Sequence, residues 1–517
     1  MRKSREHDVL SASERRRSLI TALLIVLFAG AIAALAVLYP TLTESTEVHD
    51  LAVDETLTAA AERLDSIAVT CTLDPETDTL SGTQVLTLTN RTGQDQEAVV
   101  LRSWTGAYLK EDTAPGATDE WYDSTYPDGF VAGGLHMLTA AVAEREGTAV
   151  YRFNDTACTV LEITVPDGWA AGETITLTLT WKADIPACAS AFGVSDGIYA
   201  LGHVFPVPAL WEDGAWRTDE YASIGDSAYS ACVNWTVDLT VPSGYVVGAT
   251  GYTAAQTANG QSLWHMTMPA ARDFAMAVSK SYQTSVTYVG DTLIVARAKT
   301  RDSAKKLVKY AKSALQVYEA RWGEYVYPVL TLAETVLPQG AAAFPCCVMI
   351  SSAQLAEGGD TLKQTVAHEV AHQWWSVLVG SDPVNQAWQD ESLCEYAMLV
   401  WLGDTAGADD RADAEFSRIE SALRITIPRG VTPGSPISYF GDTTEYTWVV
   451  YRRGASFWLA MEKLLGQDAL DTALRSYVER YRFGIATRED LTDILSGAAG
   501  MDISALMSDY LDTNIDN

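Results

Sequence analysis

The chain has 517 residues, 48% of them hydrophobic, which is enough for two or three domains with buried cores. Its 67 acidic against 36 basic side chains give a formal charge of −31, which repels phosphate backbones and argues against nucleic acid as a partner. Seven cysteines are too few for a disulfide scaffold, and their odd number leaves at least one unpaired within a chain.

Residues 1–17 form a basic tail carrying Arg2, Lys3, Arg5, Arg15, Arg16 and Arg17. The run 19–39 then holds no charge over 21 residues. As a helix it is about 31 Å long, close to the roughly 30 Å hydrocarbon core of a bilayer. The first charges beyond it, Glu44, Glu47 and Asp50, are acidic, so the positive-inside rule puts the amino terminus in the cytoplasm and the rest of the chain outside the cell. Segment 18–39 is therefore expected to be a single uncleaved transmembrane signal anchor in the cell membrane. A cleaved signal peptide is the alternative, since Ala31-Ile32-Ala33 and Ala34-Leu35-Ala36 offer small residues. Residues 40–65 read as a polar stalk that turns helical.

Between 66 and 287 apolar and polar residues alternate in short runs, such as 84–89 and 174–180, separated by Gly, Pro, Asn and Asp. That is the pattern of an antiparallel β-sandwich, with 112–134 a long loop. From 288 to 517 the pattern becomes α+β. Strands are expected at 293–298, 329–333 and 347–351, and helices at 303–322, 361–378, 390–402, 455–465, 468–481 and 488–495. There are no internal repeats.

His368-Glu369-Val370-Ala371-His372 lies in the 361–378 helix. Imidazoles four residues apart on a helix share one face, so both can reach one metal ion at roughly 2.0–2.1 Å. Glu369 lies on the flank of that face, placed to orient and deprotonate a water at the ion. After 18 further residues comes Glu391, in Trp388-Gln389-Asp390-Glu391, and a turn through Gly380, Asp382, Pro383 and Asn385 lets an antiparallel helix bring it back to the same point. Three protein ligands with one open position is the catalytic arrangement of zinc. Glu395, one turn after Glu391, is a possible acceptor for a histidine N–H, against the plainer reading of a solvated helix charge. Cys394 reads as small-residue packing, and Gln373 and Trp374 as packing and positioning residues.

His368 to Trp375 (HEVAHQWW), the 18-residue gap and Trp388 to Tyr396 (WQDESLCEY) resemble the zinc-site signature of the membrane alanyl aminopeptidase family of gluzincins, in a bacterial short form. Leu201-Gly202-His203 through Pro206, Gly225-Asp226, 237–251 and Arg272-Asp273-Phe274-Ala275 are similar to the amino-terminal domain of bacterial members, so the resemblance covers residues 66–517. It implies one Zn2+ per chain held by His368, His372 and Glu391, with Glu369 as general base, in a thermolysin-like domain that follows the sandwich. Tyr451-Arg452-Arg453-Gly454-Ala455 is similar to the family's Tyr-x-Lys-Gly-Ala segment, which makes Tyr451 the donor to the oxyanion; Tyr446 is the alternative if the register shifts. The substrate-pairing Gly-x-Met-Glu strand corresponds to Gly340-Ala341-Ala342-Ala343, with Ala343 where the family has the glutamate that holds the substrate's amino terminus.

The implied function is hydrolysis of peptide or protein substrates, aminopeptidase-like. Alanine cannot pair with an ammonium, so three outcomes stand open. Another carboxylate, such as Glu334, takes over the amine; the enzyme is an endopeptidase; or the scaffold is a non-catalytic peptide-binding protein. Only about 50 residues follow Gln467, so the family's large carboxy-terminal helical domain is expected to be absent and the cleft more open.

Overall fold

The computed structural model describes residues 51–513 except 52, 118–119, 339 and 428–429. The anchor expected at 18–39 lies outside the described residues. Among those described, no helix is long and apolar enough to cross a membrane. The stalk ends in a short helix, Glu55–Ala61, whose first turn is capped by Asp54 accepting from the Thr56 N–H at 2.7 Å.

Alternation governs the β-rich half. In Thr174–Asp184 the residues Ile175, Leu177, Leu179, Trp181 and Ala183 are buried while the threonines between them are not. This strand belongs to a seven-stranded sheet ordered Tyr252–Ala258, Gln261–Ala271, Val233–Pro242, Ser66–Asp74, Thr79–Thr89, Thr174–Asp184, Gly134–Val142. The expected antiparallel pairing holds except at one place, where Ser66–Asp74 runs parallel to Val233–Pro242 with Cys71 opposite Leu239. Two four-stranded sheets and a two-stranded one, Trp211–Glu212 with Ala215–Trp216, complete this half, and side chains of the three larger sheets share one apolar core. The segment expected as a long loop at 112–134 holds a short helix, Tyr122–Thr125.

A five-stranded sheet opens the second half, in the order Gln283–Val289, Thr292–Ala298, Val329–Thr335, Cys347–Ser351, Ala341–Phe344. Its middle three strands are parallel and are near-continuously buried, as parallel strands covered by helices must be. The first strand joins this sheet a few residues ahead of the boundary expected at 287. Ala341–Phe344 pairs only with Cys347–Ser351 and is an edge strand. The Arg301–Trp322 helix is capped by Thr300 and buries Ala304, Leu307, Ala311, Leu315, Tyr318 and Trp322 at helical spacing. Its Tyr318 hydroxyl donates to the Ala367 carbonyl at 2.9 Å and so fixes the next helix.

That next helix, Gly359–Ala371, ends seven residues before the expected 378. Beyond it the backbone bonds lengthen to five-residue spacing, with Val377 N–H to His372 O at 3.0 Å, Leu378 to Gln373 at 3.2 Å and Val379 to Trp374 at 3.0 Å. Ser376 adopts φ +97°. Arg272, from the end of the seven-stranded sheet, stabilises this turn by donating to the carbonyls of Ser376 (3.0 Å) and Val377 (3.2 Å), and also to Ser230 (3.2 Å) and Gly484. Trp374, Trp375 and Leu378 stay buried through tertiary packing, so the apolar spacing outlasts the helix. The helix Trp388–Thr405 follows, then the helices Gly454–Leu465, Gln467–Tyr481, Arg488–Ala499 and Ser504–Leu511. All seven cysteines are free.

Candidate metal centre and substrate cleft

The last turn of Gly359–Ala371 and the first of Trp388–Thr405 bring His368, His372 and Glu391 to one point. The His368 and His372 Nε2 atoms are 3.2 Å apart, and Glu391 Oε2 lies 3.4 Å from the first and 3.2 Å from the second. Ligands at 2.0–2.1 Å on a tetrahedral zinc ion are separated by about 3.4 Å, so this near-equilateral triangle fits one face of that coordination shell. Two imidazole nitrogens and a carboxylate oxygen are also the donor chemistry zinc takes.

The rear atoms of the histidines are occupied in a way that turns Nε2 forward. The His372 Nδ1 faces the Trp375 carbonyl at 3.3 Å, an atom that can only accept, so the proton sits on Nδ1 and the Nε2 lone pair points to the triangle. His368 Nδ1 lies 3.6 Å from Glu395 Oε2. Glu395, 1% exposed, is held in turn by Arg418, whose Nη2 donates to Oε2 at 2.9 Å. The local electrostatics call for positive charge. Despite burial, which opposes it, the carboxylates of Glu391 and Glu395 raise the His368 imidazole to about 10, while the histidines hold Glu391 well below the ordinary carboxylate range in spite of its own desolvation. Burial pushes the Cys394 thiol up to about 12, so it stays protonated beside His372 as a packing group rather than a ligand.

Glu369 and Tyr451 face the same space. Burial raises the Glu369 carboxyl above its usual range, and the two histidines pull it back. The Tyr451 ring stacks on His368 with centroids 5.5 Å apart and planes 11° from parallel, and desolvation, then Glu391, keep its phenol protonated. Tyr446 packs edge-on against Tyr451 at 5.6 Å, and both line the cleft. Tyr451 comes from a π-helical segment, Thr447–Arg453, which has no periodicity readable in sequence. Arg453, in the position of the family's lysine, is 3% exposed and donates to the Ala422 and Ile425 carbonyls, so it packs the site from behind.

The cleft is a cavity of about 790 Å3 lined by Gly340 to Phe344, by His368, Glu369, His372 and Glu391, and by groups from the β-rich half. The Ala341–Phe344 edge strand faces it with one side of its backbone unpaired in the sheet. Ala343 brings no charge. Glu334, the alternative carboxylate suggested by sequence, is turned away: Oε2 accepts from the Lys299 N–H at 2.8 Å and Oε1 from Ser352 at 2.9 Å, and it does not line the cavity. Asp226 does line it, and in sequence only the resemblance of Gly225-Asp226 marks it. Its single hydrogen bond is accepted from the Ala228 N–H at 2.7 Å, and no cation among the described residues pairs with it. Asp226 is solvent-accessible through the cleft, yet enough protein surrounds it to raise its carboxyl; His203 opposes that rise while Glu391 and Asp273 add to it. His203 packs on Phe344 with centroids 4.8 Å apart and is ion-paired to Asp273.

Fold and donor set together fit a zinc metallopeptidase domain. Residues 337–510, about a third of the chain, match the profile described as Peptidase family M1 domain. Curated relatives include Aminopeptidase N of Lactobacillus helveticus, 29% identical over 252 residues, or 44% of this chain and 29% of that protein. Aminopeptidase RNPEPL1 of Homo sapiens is 28% identical over 210 residues, 37% of this chain and 28% of that protein. The chain thus spans under a third of the length of these relatives. Among solved structures, the M1 zinc metallopeptidase from Deinococcus radiodurans superposes with TM-score 0.59 at 15% identity, covering 88% of this chain and 95% of that one. Yeast LTA4 hydrolase gives 0.63 at 14%, covering 87% and 68%. At those identities the likeness is one of fold.

Proposed function

We propose that this chain is a zinc-dependent aminopeptidase that removes residues from peptides carrying a free amino terminus. The observation that carries the reading is the triangle of His368 Nε2, His372 Nε2 and Glu391 Oε2 at 3.2–3.4 Å, with Glu369 and Tyr451 in the same cavity. A zinc ion held by those three residues, one per chain, would supply Lewis acidity to a water and to the scissile carbonyl. Glu369 takes a proton from the attacking water and returns it to the departing amine. Tyr451 donates its phenol hydrogen to the oxygen that gains charge as the carbonyl becomes tetrahedral. Glu395 and Arg418 hold the His368 ring in place from behind. The edge strand Ala341–Phe344 pairs with the extended substrate backbone, as an unpaired strand edge does. Asp226 receives the amino terminus that Ala343 cannot.

The relatives' name, aminopeptidase, supports the exopeptidase reading. Localisation rests on the sequence: the uncharged run 19–39 with basic residues before it and acidic residues after it supports a single-pass protein whose peptidase region faces outward. Intact mass of the membrane-extracted protein tests that, since loss of the first 30 to 40 residues contradicts a retained anchor.

The activity is tested with an aminoacyl reporter and its acetylated twin on the zinc-loaded full chain. Cleavage of the first alone is expected. Equal cleavage of both makes the protein an endopeptidase, and cleavage of neither, with zinc bound, makes it a binding protein.

A further inference from the structure

Arg452 lines the cavity without an ion pair to any described residue. Its guanidinium carbon sits 4.3 Å from the centroid of the Trp448 ring. Its Nε is buried without a hydrogen-bond partner, and neither Nη donates to or ion-pairs with any described residue. Burial and the charge of Arg418 lower its pKa, and Glu395 opposes them. That glutamate is already committed, to Arg418 through two N–H donors and to His368. Arg452 therefore lines the cavity with donors that no described residue uses, and its buried Nε is an unsatisfied polar group that an anion at the guanidinium would complete.

The backbone explains how the group arrives there. The wide turn of the Thr447–Arg453 π-helix puts Trp448 and Arg452 together and lets Tyr451 and Arg452, adjacent in sequence, both line the cavity. The surroundings of Asp226 are His203, Asp273, Asp390, Glu391 and Tyr446, and those of Arg452 are Trp448, Arg418 and Glu395. The two sets share no residue. Glu391 borders the first set, and His368, through Glu395, borders the second. We infer that a peptide whose amine meets Asp226 and whose scissile carbonyl meets the triangle runs on to Arg452.

We propose that Arg452 is a specificity-determining residue that binds a substrate carboxylate beyond the scissile bond, and that the preferred substrates are short peptides whose own carboxyl terminus supplies it. The planar fork of arginine matches a carboxylate bidentately, and the other arginine near it, Arg418, is already taken by Glu395. A cavity of about 790 Å3 holds a few residues rather than a long chain. The inference rests on the peptidase reading for the identity of the occupant, so binding and turnover are measured separately.

The test uses the zinc-loaded full chain carrying Glu369→Gln, titrated calorimetrically with leucyl-alanyl-alanine, with its carboxamide, and with the carboxamide of leucyl-glutamyl-alanine. The free acid is expected to bind about tenfold or more tightly than its carboxamide. Adding Arg452→Met should remove that difference while leaving carboxamide affinity unchanged, which also shows that the variant is folded. If the glutamyl carboxamide gains and the free acid does not, the carboxylate site stands and the short-peptide preference is overturned. Equal affinities, no binding of the acid, or a preference that survives Arg452→Met overturns the proposal. Turnover by the unsubstituted chain reads the peptidase assignment independently.

Discussion

Glu369 and Tyr451 divide the chemistry between a base and a hydrogen donor, and each has a separable signature. Glu369→Gln keeps the shape of the side chain and removes its basicity, so kcat should fall by about 10^3 while bound zinc, measured by elemental analysis, stays at the unsubstituted level. Tyr451→Phe leaves the stacking on His368 and removes the donor; kcat should drop about 10^2-fold or more with KM little changed. Asp226→Asn keeps the hydrogen bond from Ala228 and removes the charge, so KM for a free-amine peptide should rise about tenfold while kcat holds. A kcat effect without a KM effect would show that Asp226 acts otherwise.

The helix pair Gly359–Ala371 and Trp388–Thr405 is the element that builds the metal centre. Glu391 and Glu395, one turn apart on the second helix, reach opposite sides of the His368 ring, so Glu395→Gln should weaken zinc affinity by about 10- to 100-fold, read by competition with a chromophoric chelator. The second helix is approached closely by Gly454, where an added Cβ would stand 2.7 Å from Ser392 Cβ. Gly454→Ala should therefore cost about 1–3 kcal/mol in chemical denaturation. Much at this scale was legible. His368, His372 and Glu391 followed from a four-residue helical spacing and a turn between helices, both local rules. The end of the first helix was not legible, because Trp374, Trp375 and Leu378 continue the apolar spacing for reasons of tertiary packing. Asp226 and Arg452 escaped for a different reason. Asp226 comes from a loop of the β-rich half, 225 residues before Tyr451, and Arg452 from a π-helix, which has no periodicity readable in sequence.

The described residues form one compact unit, although the sequence divides into a β-rich half and a helical half. Arg272 shows how they are joined: its guanidinium satisfies carbonyls of Ser230, Ser376, Val377 and Gly484, which come from three separate stretches of chain. Arg272→Ala strands these buried acceptors and should cost about 2–4 kcal/mol, lowering the thermal midpoint without splitting the transition. The substrate cleft is a product of the same junction, since the β-rich half supplies His203 and Asp226 and the helical half supplies the metal centre. The most direct test of the whole account is cleavage of a mixed peptide library by the zinc-loaded full chain beside its Glu369→Gln variant, with every cut mapped by mass spectrometry. The account predicts cuts after first residues only, absent from the variant; internal cuts, or cuts that persist without Glu369, would contradict it.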